Sequence, residues 1–280
     1  MINVTTELEH LIDSTITIPT IPTTLLAINK IVASPEGSAK QCGEVIVKDP
    51  AVAAKVLRLV NSSFYALRNP VSSVPLACSI LGLKVIKNLV VQATVLESFG
   101  EGPAVEGFDV NWLWDHSLKT AVAARMIAAS WPDAGLDKDE AYTCGLVHDV
   151  GKMLLLEHQT DRFAQALKLS VRHRIPLAKA EDEVFGFTHA HAVGLLAARW
   201  KLAKDLQAAV THHHATGTEA GDRAKGCLVQ CANSIAHQEA QGSGGWLGDV
   251  VSDATLAALG LPAEKLGEIR AQVRQASMSV

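Results

Sequence analysis

One polar pair limits how this chain can fold. His148 and Asp149 sit inside the run Cys144–Leu156, whose other members are apolar or glycine apart from Lys152. Such a run is buried on folding, and a carboxylate and an imidazole taken out of water need partners. Few are available nearby, so the fold must bring them from a distance. His116 lies upstream, and His189, His191, His212, His213 and His214 lie downstream. Imidazoles and a carboxylate gathered from several helices form the donor set of a divalent transition-metal site.

The rest of the chain suits close-packed helices. Hydrophobic residues make up 48% and aromatics only 5%, so the apolar content is mainly Ala, Val, Leu and Ile. The net charge of −4 excludes a global basic field, and no DNA partner is expected. Met1–Val4 leads into polar and acidic residues, unlike a secretory signal. The apolar stretch Asn88–Phe99 is short for a membrane span and contains Gln92 and Glu97. No membrane association is expected. Five scattered cysteines read as reduced core residues of a cytoplasmic protein. Cys227 and Cys231, four apart, lack a short-loop zinc spacing.

Helical periodicity predicts segments over Leu25–Ala33, Ala39–Lys48 and Ala51–Asn61, with Asp49 as cap and Pro50 at the first helical position. A helix from Ser73 to Leu81 breaks at Gly82, and a nearly all-apolar one follows over Leu83–Phe99. Gly100–Gly107, with three glycines and a proline, is the best linker. Beyond it come Asn111–Trp131, Asp139–His158, Asp161–His173, Pro176–Phe185, His189–Trp200, Lys204–His214, Arg223–Ala240 and Pro262–Gln275, with a flexible loop at Gly242–Gly245. Thr188 is placed to cap the helix that opens at His189. The predicted fold is all-α in two helical lobes. It comprises an N-terminal extension (1–17), a first lobe (18–100), a second lobe with the metal site (108–245) and a C-terminal helical segment (246–280).

On this reading His148-Asp149 lies mid-helix, where adjacent side chains point about 100° apart. One ion then reaches both only from a crevice between those directions, and Asp149 is free to bridge to a second ion. Lys152, three residues on, pairs with Asp149 or touches a phosphate; the plainer alternative is a solvated lysine. His191 and His212 are read as surface neighbours, and Trp112 and Trp114 as core or lid anchors.

The order His116, His148-Asp149 with Gly151-Lys152, His189, then His213-His214 resembles the HD metal-dependent phosphohydrolase superfamily. The first half narrows this. Val47-Lys48-Asp49-Pro50-Ala51 through Asn61-Ser62-Ser63-Phe64-Tyr65, Val71–Gly82 and Ile18–Pro22 resemble the HDOD branch, the HD-related output domains of bacterial signalling. The resemblance spans about Ile18 to Ala240. It implies a second lobe like the HD helical bundle, metal ligands among His116, His148, Asp149, His189, His213 and His214, and a regulatory role. The chain keeps the His-Asp pair that many HDOD proteins have lost. It departs from the hydrolases at Asn233, where their last metal-binding carboxylate falls. Ala215-Thr216-Gly217-Thr218 after His213-His214 carries no Gly-Tyr-Pro segment, unlike the HD-GYP cyclic-dinucleotide phosphodiesterases.

Asn233 can offer an amide oxygen but no charge. Asp149 alone then faces one or two divalent ions, and hydroxide, phosphate or another anion must complete the balance. Imidazole-rich ligation favours Fe, Mn, Ni or Zn. Two readings follow. The first is a signalling module that binds a protein partner, with a metal stapling its second lobe. The alternative is a metal-dependent phosphohydrolase acting on nucleotides or other phosphate esters, in which Lys152 and the distal histidines stabilise charge on the phosphate.

Overall fold

Caps and breakers set the first helices. In the computed structural model, which describes residues 23–61, 65, 67, 69–98, 102–200, 202–214, 222–240, 248, 250–252, 256 and 260–276, the chain divides into two units. One holds the helices of residues 19–100 and the other those of residues 101–276. No strand occurs among the described residues. The predicted N-terminal extension, the Ile18–Pro22 and Ser62–Phe64 stretches, Ala215–Thr218 and Gly242–Gly245 lie outside them.

The first unit contains α1 (Thr23–Ala33), α2 (Ala39–Val47), α3 (Pro50–Val60) and α4 (Val74–Ser98). Asp49 caps α3 by accepting from the Val52 amide, and Pro50 opens the helix, as expected from sequence. The other oxygen of Asp49 accepts from the Thr24 hydroxyl at 3.0 Å, which ties α1 to α3. Asn61 closes the segment after α3 through two bonds to Val71, one donated and one accepted. The polar groups of these two resemblance-bearing residues therefore serve the fold. Gly82 interrupts α4 with φ 79° and ψ 168°, a conformation open to glycine and strained for other residues. Val74–Thr94 is long and apolar enough to cross a membrane by composition, with a mean hydropathy of 1.7. The break at Gly82 releases backbone hydrogen bonds in its middle, which hydrocarbon would penalise.

The second unit comprises α5 (Val110–Ser130), a short 3-10 turn (Pro132–Ala134), α6 (Lys138–Val147), α7 (Val150–His158), α8 (Thr160–His173), α9 (Leu177–Phe185), α10 (His189–Arg199), α11 (Lys204–Thr211), α12 (Asp222–Glu239) and α13 (Ala263–Gln275). Helix α5 is its axis: His116 to Ala124 are all buried, and it packs against α6, α12 and α13. Arg270 and Arg274 of α13 bond to Gln238 and Glu239 of α12. All five cysteines are buried and reduced, as expected.

Two predicted boundaries change. The single helix over Asp139–His158 is two helices, broken at the His-Asp pair. The helix expected to run to His214 stops at Thr211, with His213 and His214 in the turn beyond it. In both places tertiary pairing of polar side chains overrides a continuous helical period.

Candidate metal centre

The break between α6 and α7 builds the centre. His148 ends α6 with helical dihedrals, and Asp149 then turns the chain with φ −97° and ψ 1°. Asp149 stands at the N-cap of α7 yet makes no capping hydrogen bond. An aspartate there ordinarily bonds the first-turn amides, worth about 1 kcal/mol. Here its carboxylate turns to the imidazoles instead. The two side chains therefore converge, with His148 Nε2 3.3 Å from Asp149 Oδ2.

Each carboxylate oxygen faces its own histidines. Oδ2 lies 3.3 Å from His148 Nε2 and 3.7 Å from His116 Nε2. Oδ1 lies 3.1 Å from His189 Nε2 and 3.9 Å from His213 Nε2. His214 joins the second group, its Nε2 being 2.9 Å from His189 Nε2. Two sets of potential donor atoms thus form around one carboxylate: His116, His148 and Asp149, and His189, His213 and His214. Lys152 Nζ is 2.6 Å from Oδ2 and supplies positive charge beside it. At 2% exposure it is a buried partner of Asp149, so the solvated-lysine alternative is set aside.

Three imidazoles are held with Nε2 pointing inward. His148 Nδ1 is 2.8 Å from the Gly145 carbonyl, and His213 Nδ1 is 2.7 Å from that of Val210. Each Nδ1 must donate to its carbonyl, which places a proton there and leaves Nε2 as the atom that faces the centre. Both Nε2 atoms are buried with no hydrogen-bond partner among the described residues. His189 Nδ1 is 2.6 Å from Glu181 Oε2, which also accepts the His189 backbone N–H at 2.9 Å. A carboxylate behind a ligating imidazole fixes its tautomer and raises its basicity. Glycine makes the approach feasible: a Cβ on Gly151 of α7 would lie 2.0 Å from the His189 carbonyl oxygen.

Electrostatics follow from burial. Burial alone would raise the Asp149 carboxyl, but His148 and Lys152 hold it well below the usual range, so it is ionised. Burial depresses His116 and His213, and neighbouring imidazoles push them further down. Burial also opposes charge on His189, but Glu181 overrides it and raises that imidazole.

The HDOD domain profile matches residues 18–216. The chain belongs to the HDOD family. An HDOD domain protein from Geobacter sulfurreducens has a similar structure, with a TM-score of 0.75 and 24% identity over 98% of this chain and 91% of that one. A chain from Marinobacter aquaeolei VT8, provisionally named a signal transduction protein, superposes at 0.78 with 22% identity, covering 95% of this chain and 59% of its own. One from Shewanella amazonensis SB2B, provisionally named a metal-dependent phosphohydrolase, reaches 0.62 with 17% identity, covering 99% and 98%. At these identities the likeness concerns the fold. A protein of uncharacterized function from Treponema pallidum (strain Nichols) is 26% identical over 199 residues; the match covers 70% of this chain and 37% of that protein.

In this HDOD chain the fold brings together six of the seven expected ligands, together with Lys152. Asn233, the seventh, is buried on α12, and its Oδ1 has no hydrogen-bond partner among the described residues. His191 is drawn into a capping box, where its Nδ1 accepts from the Thr188 amide at 3.1 Å. Trp112 stacks on His116, with centroids 4.9 Å apart and planes 5° from parallel.

Sequence reading missed two residues. His237 lies one turn beyond Asn233 on α12, its ring centroid 4.3 Å from that of His116. Burial, then Lys152, lowers its pKa to about 3. A histidine four residues along a helix from a suspected ligand shares its face, and that signal was readable. Glu181, fully buried on α9, had a weaker one: a histidine ligand ordinarily calls for a carboxylate or carbonyl behind it.

Proposed function

We propose that this chain is an HDOD signalling module whose second unit is built around a divalent transition-metal centre. The observation that carries this is the convergence of buried imidazole Nε2 atoms on both oxygens of ionised Asp149. His116, His148 and Asp149 would hold one ion, and His189, His213 and His214 a second. The unsatisfied Nε2 atoms of His148 and His213 fit a cation and are costly without one. Such a donor set favours Fe, Mn, Ni or Zn over Mg. The signalling role draws support from the family and from the name of the Marinobacter relative. The exposed apolar side chains Leu26, Val47, Leu76 and Ile80 of the first unit suit a protein partner.

A second reading, phosphate-ester hydrolysis, is favoured by the cavity that reaches His214. When bound, the cation would supply Lewis acidity toward the phosphate. The chain's own part is to hold the donors in place through Gly145, Val210 and Glu181, to exclude bulk water by burial, and to keep Lys152 beside the anion-binding centre. One carboxylate against two divalent ions leaves excess positive charge, which draws an anion such as phosphate.

Elemental analysis of protein purified without chelator tests the centre. Wild type is expected to retain transition metal and Asp149→Ala to lose it. Wild type that neither retains nor takes up metal would remove the centre. Metal-dependent turnover of a phosphate-ester panel, lost in His148→Ala, would favour the second reading; a partner captured with no turnover would favour the first.

A further inference from the structure

The cluster is buried, yet one member faces open space. His214 lines a cavity of about 430 Å³ at the start of α10, whose walls include Lys179, Asp182, Thr188 and His191. A second cavity of about 480 Å³ shares His191, Thr211 and His212 with it and continues between α10 and α11. The shared walls make them two halves of one groove leading away from the metal centre.

The halves differ in chemistry. Near His214 the groove offers donors. Lys179 carries a cation. His191 accepts on Nδ1 from the Thr188 amide, so its ring proton sits on Nε2. Asp182 is the one carboxylate on this wall. Farther out, Gly194, Leu195, Ala198 and Ala208 form an apolar floor. Four of the polar side chains around that floor are already engaged with neighbours. Gln207 donates to the Leu202 carbonyl at 2.8 Å and accepts from Lys204, Thr211 donates to the Gln207 carbonyl at 2.7 Å, and Asp222 accepts from Lys225. A ligand reaching this half would find apolar surface and few free polar groups.

We infer that the groove binds a phosphate ester of an apolar or aromatic alcohol. The anionic group lies against His214 and Lys179, and the apolar part lies on the Leu195–Ala198 floor. The seat of the anion rests on the metal-centre reading above; the apolar half stands on the groove alone. Together the cavities fall in the size range of small-molecule sites.

Phenylphosphonate and methylphosphonate separate the two contributions, since they share a headgroup and neither has an ester bond to cleave. Both are titrated calorimetrically into full-length protein loaded with Mn²⁺, with metal content measured in parallel. Phenylphosphonate is expected to bind about tenfold tighter, from burial of the ring. Ala198→Trp fills the outer half and is expected to cut that advantage to within about twofold, leaving methylphosphonate affinity and metal content unchanged. Should that variant fail to fold, Leu195→Asp is expected to remove the advantage by making the floor polar. Equal affinities, or no binding of either compound, on metal-retaining protein would overturn the inference, as would an advantage indifferent to both variants. Protein that holds no metal, yet still prefers phenylphosphonate in a way Ala198→Trp abolishes, would sink the metal centre and leave the groove standing.

Discussion

Asp149 is the residue on which the second unit turns. Its charge faces four imidazoles and lies 2.6 Å from Lys152 Nζ, all within the core. Asp149→Asn keeps the volume and removes the charge, which leaves the Lys152 ammonium in the interior without its carboxylate. In metal-free protein that is expected to cost about 3 kcal/mol in urea unfolding. Adding Lys152→Met should restore most of that stability without restoring metal binding. A double variant no more stable than the single one would show that the penalty does not come from the Lys152 charge. Glu181 acts one step back, through its 2.6 Å contact with His189 Nδ1. Glu181→Gln is expected to lower metal affinity about 10- to 100-fold in a competitive chelator titration. Unchanged affinity would mean that His189 does not depend on this carboxylate for its orientation.

At the scale of elements, the decisive feature is an interruption. An unbroken helix would splay His148 and Asp149 by about 100°. The turn at Asp149 brings them together, and α7 then runs close enough to the start of α10 that only a hydrogen fits at position 151. Gly151→Ala would place its Cβ 2.0 Å from the His189 carbonyl oxygen, so the two helices must separate. The expected result is a loss of about 1–3 kcal/mol together with weaker metal retention, because His189 moves with its backbone. Melting and elemental analysis of one preparation check both. Stability lost with metal content intact would show that the α7–α10 contact does not position the site. The period of the sequence predicts one helix over Asp139–His158 and cannot show this break, because Val147 and Val150 suit a continuous apolar face equally well.

For the whole molecule, the buried histidines tie stability to pH. His116, His213 and His237 have folded-state pKa values below the ordinary 6.5, that of His237 at about 3. Above about pH 6.5 these groups are neutral in folded and unfolded chains alike, and contribute no pH dependence. As pH falls through that value, the unfolded chain takes up protons that the folded chain refuses, so stability drops. His189 is raised, so its contribution has the opposite sign and is present at low pH. Three groups against one leave a net loss. The urea midpoint of metal-free protein is therefore expected to fall from pH 7 to pH 5, with each refused proton worth up to about 1.4 kcal/mol per pH unit. A midpoint that stays flat or rises over that range would contradict the burial of these imidazoles.

The sequence alone determined what is local or compositional. The all-α class follows from the 3.6-residue period, the Asp49-Pro50 start from capping chemistry, and the Gly82 break from the freedom of glycine. The demand for distant partners follows from the cost of burying His148 and Asp149. Tertiary structure alone decided which imidazole faces which oxygen of Asp149, that Lys152 turns inward, that Glu181 stands behind His189 and that His237 packs against His116. Those facts depend on angstrom-scale approach between helices far apart in the chain, and on a helix break favoured only once its polar groups have met their partners.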